Sequence, residues 1–189
     1  MKKQMSIAVF IVVVICLSAS VFAQDDADIR KELDAQYKKL AEAHDRKDLK
    51  AIVALKTSDF HAFFTDGRVG DSKLMEEYSK EFLARNLPPF NLRFTIQKLD
   101  VSYNKLIAVA EILQEAARYQ DIGGKRRKVE TSVNQREIWA KTSDGWKLKS
   151  VDNVRNQKKF VDGKRVDPTK PYNPDDPPYN PDDNGTKKQ

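Results

Sequence analysis

The chain of 189 residues holds one cysteine, Cys16, and two histidines, His44 and His61. A lone thiol excludes an internal disulfide. Cys16 falls inside an apolar leader, so its removal would leave no thiol nucleophile and no thiolate metal ligand. The two histidines show no metal spacing such as H-E-x-x-H, which argues against a tight zinc site. No metal and no cofactor is expected. Proline is also scarce through the middle of the chain. Only Pro88 and Pro89 precede residue 167, and the other six of the eight lie beyond it. Long hydrophobic runs are absent apart from one, at the N-terminus.

That run, "MSIAVFIVVVICL", follows Lys2 and Lys3 and leads into the small residues "SASVFA". A basic start, a short apolar stretch and a small-residue exit are the three regions of a secretory signal peptide. Residues 1–23 are expected to be such a leader, cleaved after Ala23, which makes the mature protein secreted or periplasmic. The alternative is an uncleaved membrane anchor, for which the run is near the lower length limit. Ile15 stands where a lipoprotein signal needs a small residue, which argues against lipidation of Cys16. At the other end, residues 167–189 contain "PYNPDDP" and then "PYNPDDN". Proline removes donors and almost nothing here is apolar, so a disordered tail is expected. It reads as a solvated spacer or, less readily, as a ligand for a partner domain. Asn184-Gly185-Thr186 is a sequon that matters only in a eukaryotic secretory pathway.

Residues 24–166 remain, about the size of one domain. The whole chain is +6, and this part is +6 as well once two leader lysines and a tail of net −2 are set aside. The basic residues are spread over "KRRK" (125–128), Lys147, Lys149, Lys158, Lys159, Lys164 and Arg165, which fits a solvated face. An exported chain without a binding motif is not expected to bind nucleic acid.

Within this part the hydrophobic period changes once. Residues 26–47 place Ile29, Leu33, Tyr37, Leu40 and Ala41 at helical spacing. Asp48 caps a short helix, "LKAIVALK". "DFHAFFTDGRVG" alternates and holds Asp66-Gly67, so it predicts a small hairpin. Asp71 caps a third helix with Leu74, Met75, Tyr78 and Phe82 as its stripe, and Pro88-Pro89 stops it. From there the pattern is β. In "FNLRFTIQKLDVSY" the apolar phase flips, which predicts a bulge near Gln97-Lys98. "KLIAVAEILQEAARYQ", "KRRKVETSVNQREIWAK" and "WKLKSVDNVRNQKKF" are three long strands joined by turns at "DIGG" and "TSDG". The expected class is α+β, with three N-terminal helices on a strongly curved antiparallel sheet forming a cone-shaped half-barrel. The "TSDG" hairpin is expected to close its last edge, anchored by Trp139 and Trp146. A cone with an apolar floor is a usual shape for a small-molecule site.

Two stretches, "DRKDLKAIVALKTSDFHAFFTDGRVGD" and "EIWAKTSDGWKLKSV", in this order and at this distance resemble the nuclear-transport-factor-2-like superfamily. That superfamily includes ketosteroid isomerases, polyketide cyclases and many exported bacterial proteins of unknown role. The resemblance covers residues 27–156 and implies a curved sheet around helices, often dimeric through the outer sheet face. Ketosteroid isomerase uses an aspartate base with a tyrosine and a protonated aspartate. In this chain the tyrosine position falls on Leu40, the base position on Phe64 and the third near Glu137. Leu40 and Phe64 cannot move a proton, so steroid isomerisation is excluded.

His61, Glu111 and Glu137 are the candidate catalytic residues. Tyr37, Phe60, Phe64, Tyr78, Phe94, Gln135, Asp152 and Asn153 are the candidate pocket residues. Each also has a plainer reading: Tyr37 as core, His61 as an ordinary strand residue, Glu111 as a solvent-facing acid. A two-residue turn at Asp144-Gly145 would set Glu137 opposite Asp152, and like charges there are unfavourable. Either the two acids share a site with a raised pKa, or a type I turn with Gly145 left-handed shifts the register; the turn chemistry favours the shift. Three functions follow. The first, a non-catalytic module for a small apolar or amphipathic ligand, leads because a pocket is predicted and a catalytic set is not. The second is a cofactor-free acid–base enzyme of cyclase, dehydratase or isomerase type. The third is an interaction or scaffold protein, dimeric through its sheet and presenting the Pro-rich tail, with its cone plugged by Phe60, Phe64, Tyr78 and Phe94 and its outer sheet face apolar.

Overall fold

The structure, a computed structural model, describes residues 26–181. The expected leader, its cleavage point and the Asn184 sequon lie outside them. Among the described residues no helix is long and apolar enough to cross a membrane. Helix α1 covers 26–45, α2 Leu49–Ala54 and α3 Ser72–Arg85. The strands are β1 Lys56–Phe63, β2 Val69–Asp71, β3 Arg93–Val101, β4 Ile107–Ile122, β5 Lys125–Thr142, β6 Gly145–Val161 and β7 Lys164–Val166.

Both expected caps form. Asp48 accepts from the Ala51 N–H and Asp71 from the Leu74 N–H, each at 2.9 Å. These bonds satisfy N–H groups that a helix start leaves without partners. The α1 stripe is as read through Ile29, Leu33 and Tyr37, all buried. At its C-terminal end Ala43, not Ala41, is the fully buried residue. In α3 the most buried side chain is Leu83, outside the expected stripe, because α3 packs against Ala43, Ile52 and Phe90.

The strands form one open sheet of 7 strands in the order β2-β1-β6-β5-β4-β3, with β7 on β6. Two expectations are corrected. The sheet is mixed, because β1 runs parallel to β6. Residues 64–144 lie between these two strands, which leaves ample chain for the crossover a parallel pair needs. The "TSDG" hairpin therefore sits in the middle of the sheet, and the edges are β2 and β3. The turn itself is of the type I kind. Thr142 pairs with Gly145, and Gly145 has φ +97. The shifted register sets Glu137 opposite Val151 and Asp152 opposite Arg136.

Bulges bend this sheet. The phase flip in β3 is a register shift between Ile96 and Lys98, as expected. Pairing of β5 with β6 shifts three times more. Two of these shifts fall where Asn153 and Asn156 adopt φ +48 and +54, a left-handed conformation that asparagine tolerates better than most residues. Each bulge inserts one extra residue, so the inward side chains of β6 recur every third position: Leu148, Val151, Val154, Gln157. A straight strand would alternate them. Extra residues on one strand of a pair raise local twist and bend, and the sheet curves over α1.

Among the described residues the segment after β7, 167–181, carries no α-helix or strand, and part of it rests on the domain. Tyr172 packs on the Val129, Val161 and Val166 cluster. The tyrosines of the two repeat units lie under arginines, Tyr172 under Arg127 at 5.3 Å and Tyr179 under Arg165 at 5.8 Å. Such pairs are individually weak, about 0.5–1 kcal/mol when exposed.

Replacing Asn153 or Asn156 by Val is expected to lower stability by about 1–2 kcal/mol each, because a β-branched side chain resists positive φ. Glycine at the same positions is expected to stay within about 0.5 kcal/mol. Urea unfolding of the four variants checks this.

Candidate functional site

The curved sheet and the three helices enclose a cavity of about 440 Å³. Its apolar wall comes from every layer: Leu40 of α1, Phe60 of β1, Met75 and Phe82 of α3, Phe90 ahead of β3 and Phe94 on it. Aromatic side chains remain around open space because each is fixed from behind. Phe82 leans on Phe90 at 5.6 Å, and Phe94 stacks on Tyr37 at 4.7 Å.

The polar groups of the wall fall into two places. At one end Glu137 projects inward from the middle of β5 and is fully buried. Its Oε2 accepts from the Tyr37 hydroxyl at 2.6 Å and from Trp139 Nε1 at 3.0 Å. Its Oε1 accepts from Gln135 Nε2 at 2.8 Å. Burial pushes the carboxyl above the usual carboxylate range, and the Tyr37, Gln135 and Trp139 donors oppose that shift. Burial, and then the adjacent Glu137 charge, raise the Tyr37 phenol, so Tyr37 stays protonated and donates. Burying a carboxylate is unfavourable by several kcal/mol unless its oxygens are bonded. Here both are.

At the other end, well along β4, Arg118 enters the cavity. Only 8 % of its surface is exposed. Its Nε donates to Asn86 Oδ1 at 2.7 Å and its Nη1 to Thr131 Oγ1 at 3.0 Å. Its guanidinium lies over Phe82 at 5.1 Å. Loss of solvent pulls its pKa down to about 10. Lys56 and His44 also line the cavity, and burial lowers both of their pKa values. His44 Nδ1 donates to the Leu40 carbonyl at 2.8 Å, so its proton sits there.

The structure separates the residues singled out from the sequence. Glu137, Gln135, Phe60, Phe64 and Phe94 line the cavity, and Tyr37 stands directly behind Glu137. Tyr78 is not in the wall; it packs edge-on against Phe64 at 5.8 Å. His61 points away from the phase of Phe60 and Ala62 and rests on Phe63. Glu111 lies on the outer sheet face and pairs with Arg155 at 2.7 Å. Asp152 pairs with Arg136 on that face, and Asn153 is exposed. His61, Glu111 and Glu137 are thus not brought together, and Asp152 and Asn153 are not cavity residues. The parity of β4 carried the missed signal. Ala108, Ala110, Ile112, Gln114, Ala116 and Arg118 share one phase, and Arg118 is its one charge. Among the described residues no group of at least three His, Asp or Glu side chains could hold a metal ion.

An open mixed sheet bent around helices, with a largely apolar cavity between them, defines the class as α+β. Its fold is that of the nuclear-transport-factor-2-like proteins. A conserved protein from Planctomyces limnophilus is similar over 70% of this chain and 98% of its own, at 16% identity and a TM-score of 0.55. A nuclear transport factor 2-like superfamily protein from Salmonella enterica serovar Typhimurium matches over 68% and 91%, at 14% identity and a TM-score of 0.52. A Mycobacterium tuberculosis protein of unknown function matches over 70% and 74%, at 13% identity and a TM-score of 0.52. No protein-family model and no curated protein matches the chain. At these identities the likeness concerns the fold.

Tyr37→Phe is expected to lower stability by about 2 kcal/mol, since it removes a donor to a buried charge. In a Glu137→Gln background the same change should be worth under about 1 kcal/mol, and a double-mutant cycle by chemical denaturation reads the difference. The pH dependence follows from the raised Glu137 pKa. A raised folded-state value makes the contribution of this group complete below its ordinary value of 4.5 and lost as pH rises through the higher folded value. The stability of the native protein relative to Glu137→Gln should therefore fall across a window that opens near 4.5 and extends upward. Unfolding titrations from about pH 4 to about pH 8 check the sign.

Proposed function

We propose that this domain holds a small amphipathic molecule in the cavity and does no chemistry on it. The observation that carries this is the cavity itself: apolar over most of its wall, with a few buried polar groups placed at its two ends. That combination is the usual form of a small-molecule site. A scaffold would need the cone filled and the outer sheet face apolar. Phe60, Phe64 and Phe94 instead line open space, and Glu111, Arg136, Asp152 and Arg155 stand ion-paired on the outer face of β4–β6. The proposal keeps an exported location, argued from Lys2, Lys3 and the apolar run that follows.

One observation favours the acid–base alternative: a buried carboxyl with a raised pKa on the cavity wall, as enzymes use. A general base needs a free lone pair aimed at substrate. Three protein donors take three of the roughly four acceptor sites of Glu137, and neither His61 nor Glu111 is at hand to relay a proton with it. Binding is therefore the better reading.

Ala116 lies in the cavity wall and is nearly buried, so Ala116→Trp would fill the space from the sheet side. Native mass spectrometry of the protein from its own host is expected to reveal a bound small molecule that Ala116→Trp has lost. Identical spectra, with no adduct on either protein, would count against the proposal.

A further inference from the structure

The polar end formed by Arg118 narrows the class of ligand. A guanidinium removed from water is strongly unfavourable without a negative partner. Arg118 is more than nine-tenths buried, yet among the described residues it forms no ion pair with Asp or Glu. Its two protein acceptors, Asn86 Oδ1 and Thr131 Oγ1, are neutral. They are placed to aim it. Asn86 is itself buried, donates its Nδ2 to the Phe82 carbonyl at 2.6 Å and accepts a second bond from Gln120 Nε2 at 2.7 Å. The Phe82 ring supports the guanidinium face. These contacts use Nε and one N–H of Nη1, so among the described residues the outer part of the fork has no acceptor. Lys56 adds a second cation to the same wall, sits over the Phe60 ring at 4.9 Å and, among the described residues, forms no ion pair within salt-bridge distance. The cavity's one acid, Glu137, is committed to Tyr37, Gln135 and Trp139.

We infer that the cavity selects a small amphipathic carboxylate, whose anionic head pairs with the outer N–H groups of Arg118 while its apolar body lies against Phe60, Phe82, Phe90 and Phe94. The inference rests on the reading of the cavity as a binding site. A planar carboxylate matches the guanidinium fork in shape, its two oxygens meeting two N–H groups of one fork. Inorganic phosphate has no apolar body to lie against the aromatic wall.

The test compares octanoate with 1-octanol and inorganic phosphate, by calorimetry on the full mature chain. Octanoate is expected to bind about tenfold or more tightly than 1-octanol, because a charge-assisted pair to a buried partner is at stake. Phosphate alone should not compete. Arg118→Gln should lose the preference for the acid over the alcohol. Arg118→Lys, which keeps the charge but not the fork, should retain part of that preference. Equal binding of acid and alcohol by the native protein overturns the carboxylate inference and leaves the cavity reading standing; this comparison needs no variant to fold. An unchanged preference for the acid in Arg118→Gln overturns the role of Arg118. Phosphate displacing octanoate overturns the choice of carboxylate. No binding of either octyl probe overturns the cavity reading, and the inference with it.

Discussion

The carboxylate of Glu137 is the contact on which the arrangement of helix and sheet depends. Tyr37 belongs to α1, while Gln135 and Trp139 flank Glu137 on β5. One buried acid therefore ties the first helix to the centre of the sheet and satisfies a phenol and an indole that must also be buried. Around it the contacts are apolar: Ile29, Leu33 and Tyr37 lie on Ala108, Ala110, Ile112 and Leu148. Large buried side chains contribute about 1.5–3 kcal/mol each but have no direction. The hydrogen bonds to Glu137 supply the direction, because only one rotation of α1 presents Tyr37 to it. Glu32 repeats the device nearer solvent, accepting from Trp146 Nε1 at 2.6 Å and pairing with Lys141.

The cavity exists because this latch and the sheet curvature act in different places. Glu137 pins α1 to the sheet at one end of the cavity. The bulges at Asn153 and Asn156 carry the far half of β6 around the helices, and Phe82 of α3 leans on Phe90. Close packing would normally fill such a space. Arg118 stands at its far end, on a network of Asn86, Gln120 and Thr131 that belongs to no core cluster. Polar groups this well ordered around open space are a reason to read the space as functional rather than as a packing fault.

Much of the fold was legible from short-range chemistry. Asp48, Asp71, Asp66-Gly67 and Gly145 act through bonds or dihedral angles within a few residues, so their meaning is local. The bulge at Gln97-Lys98 showed as a phase flip. Asp162-Gly163, with φ +49 and +79, carries an equally plain hairpin signal for β6–β7. The Asn153 and Asn156 bulges were harder to see, because their period of three imitates neither a strand nor a helix.

The sequence by itself determined the main elements and the α+β order, since these follow from backbone geometry and the spacing of apolar residues. It also singled out Glu137 as an acid with no comfortable place. Tertiary structure alone decided which face of β4 was inside, that β1 would run parallel beside β6, and that Glu111 and Asp152 would find arginines on the outer face. It alone set Arg118 against Asn86 and Thr131 without an acid. These outcomes depend on which strands become neighbours. That is settled by the sum of many weak contacts between residues far apart in the chain, and no single stretch carries it.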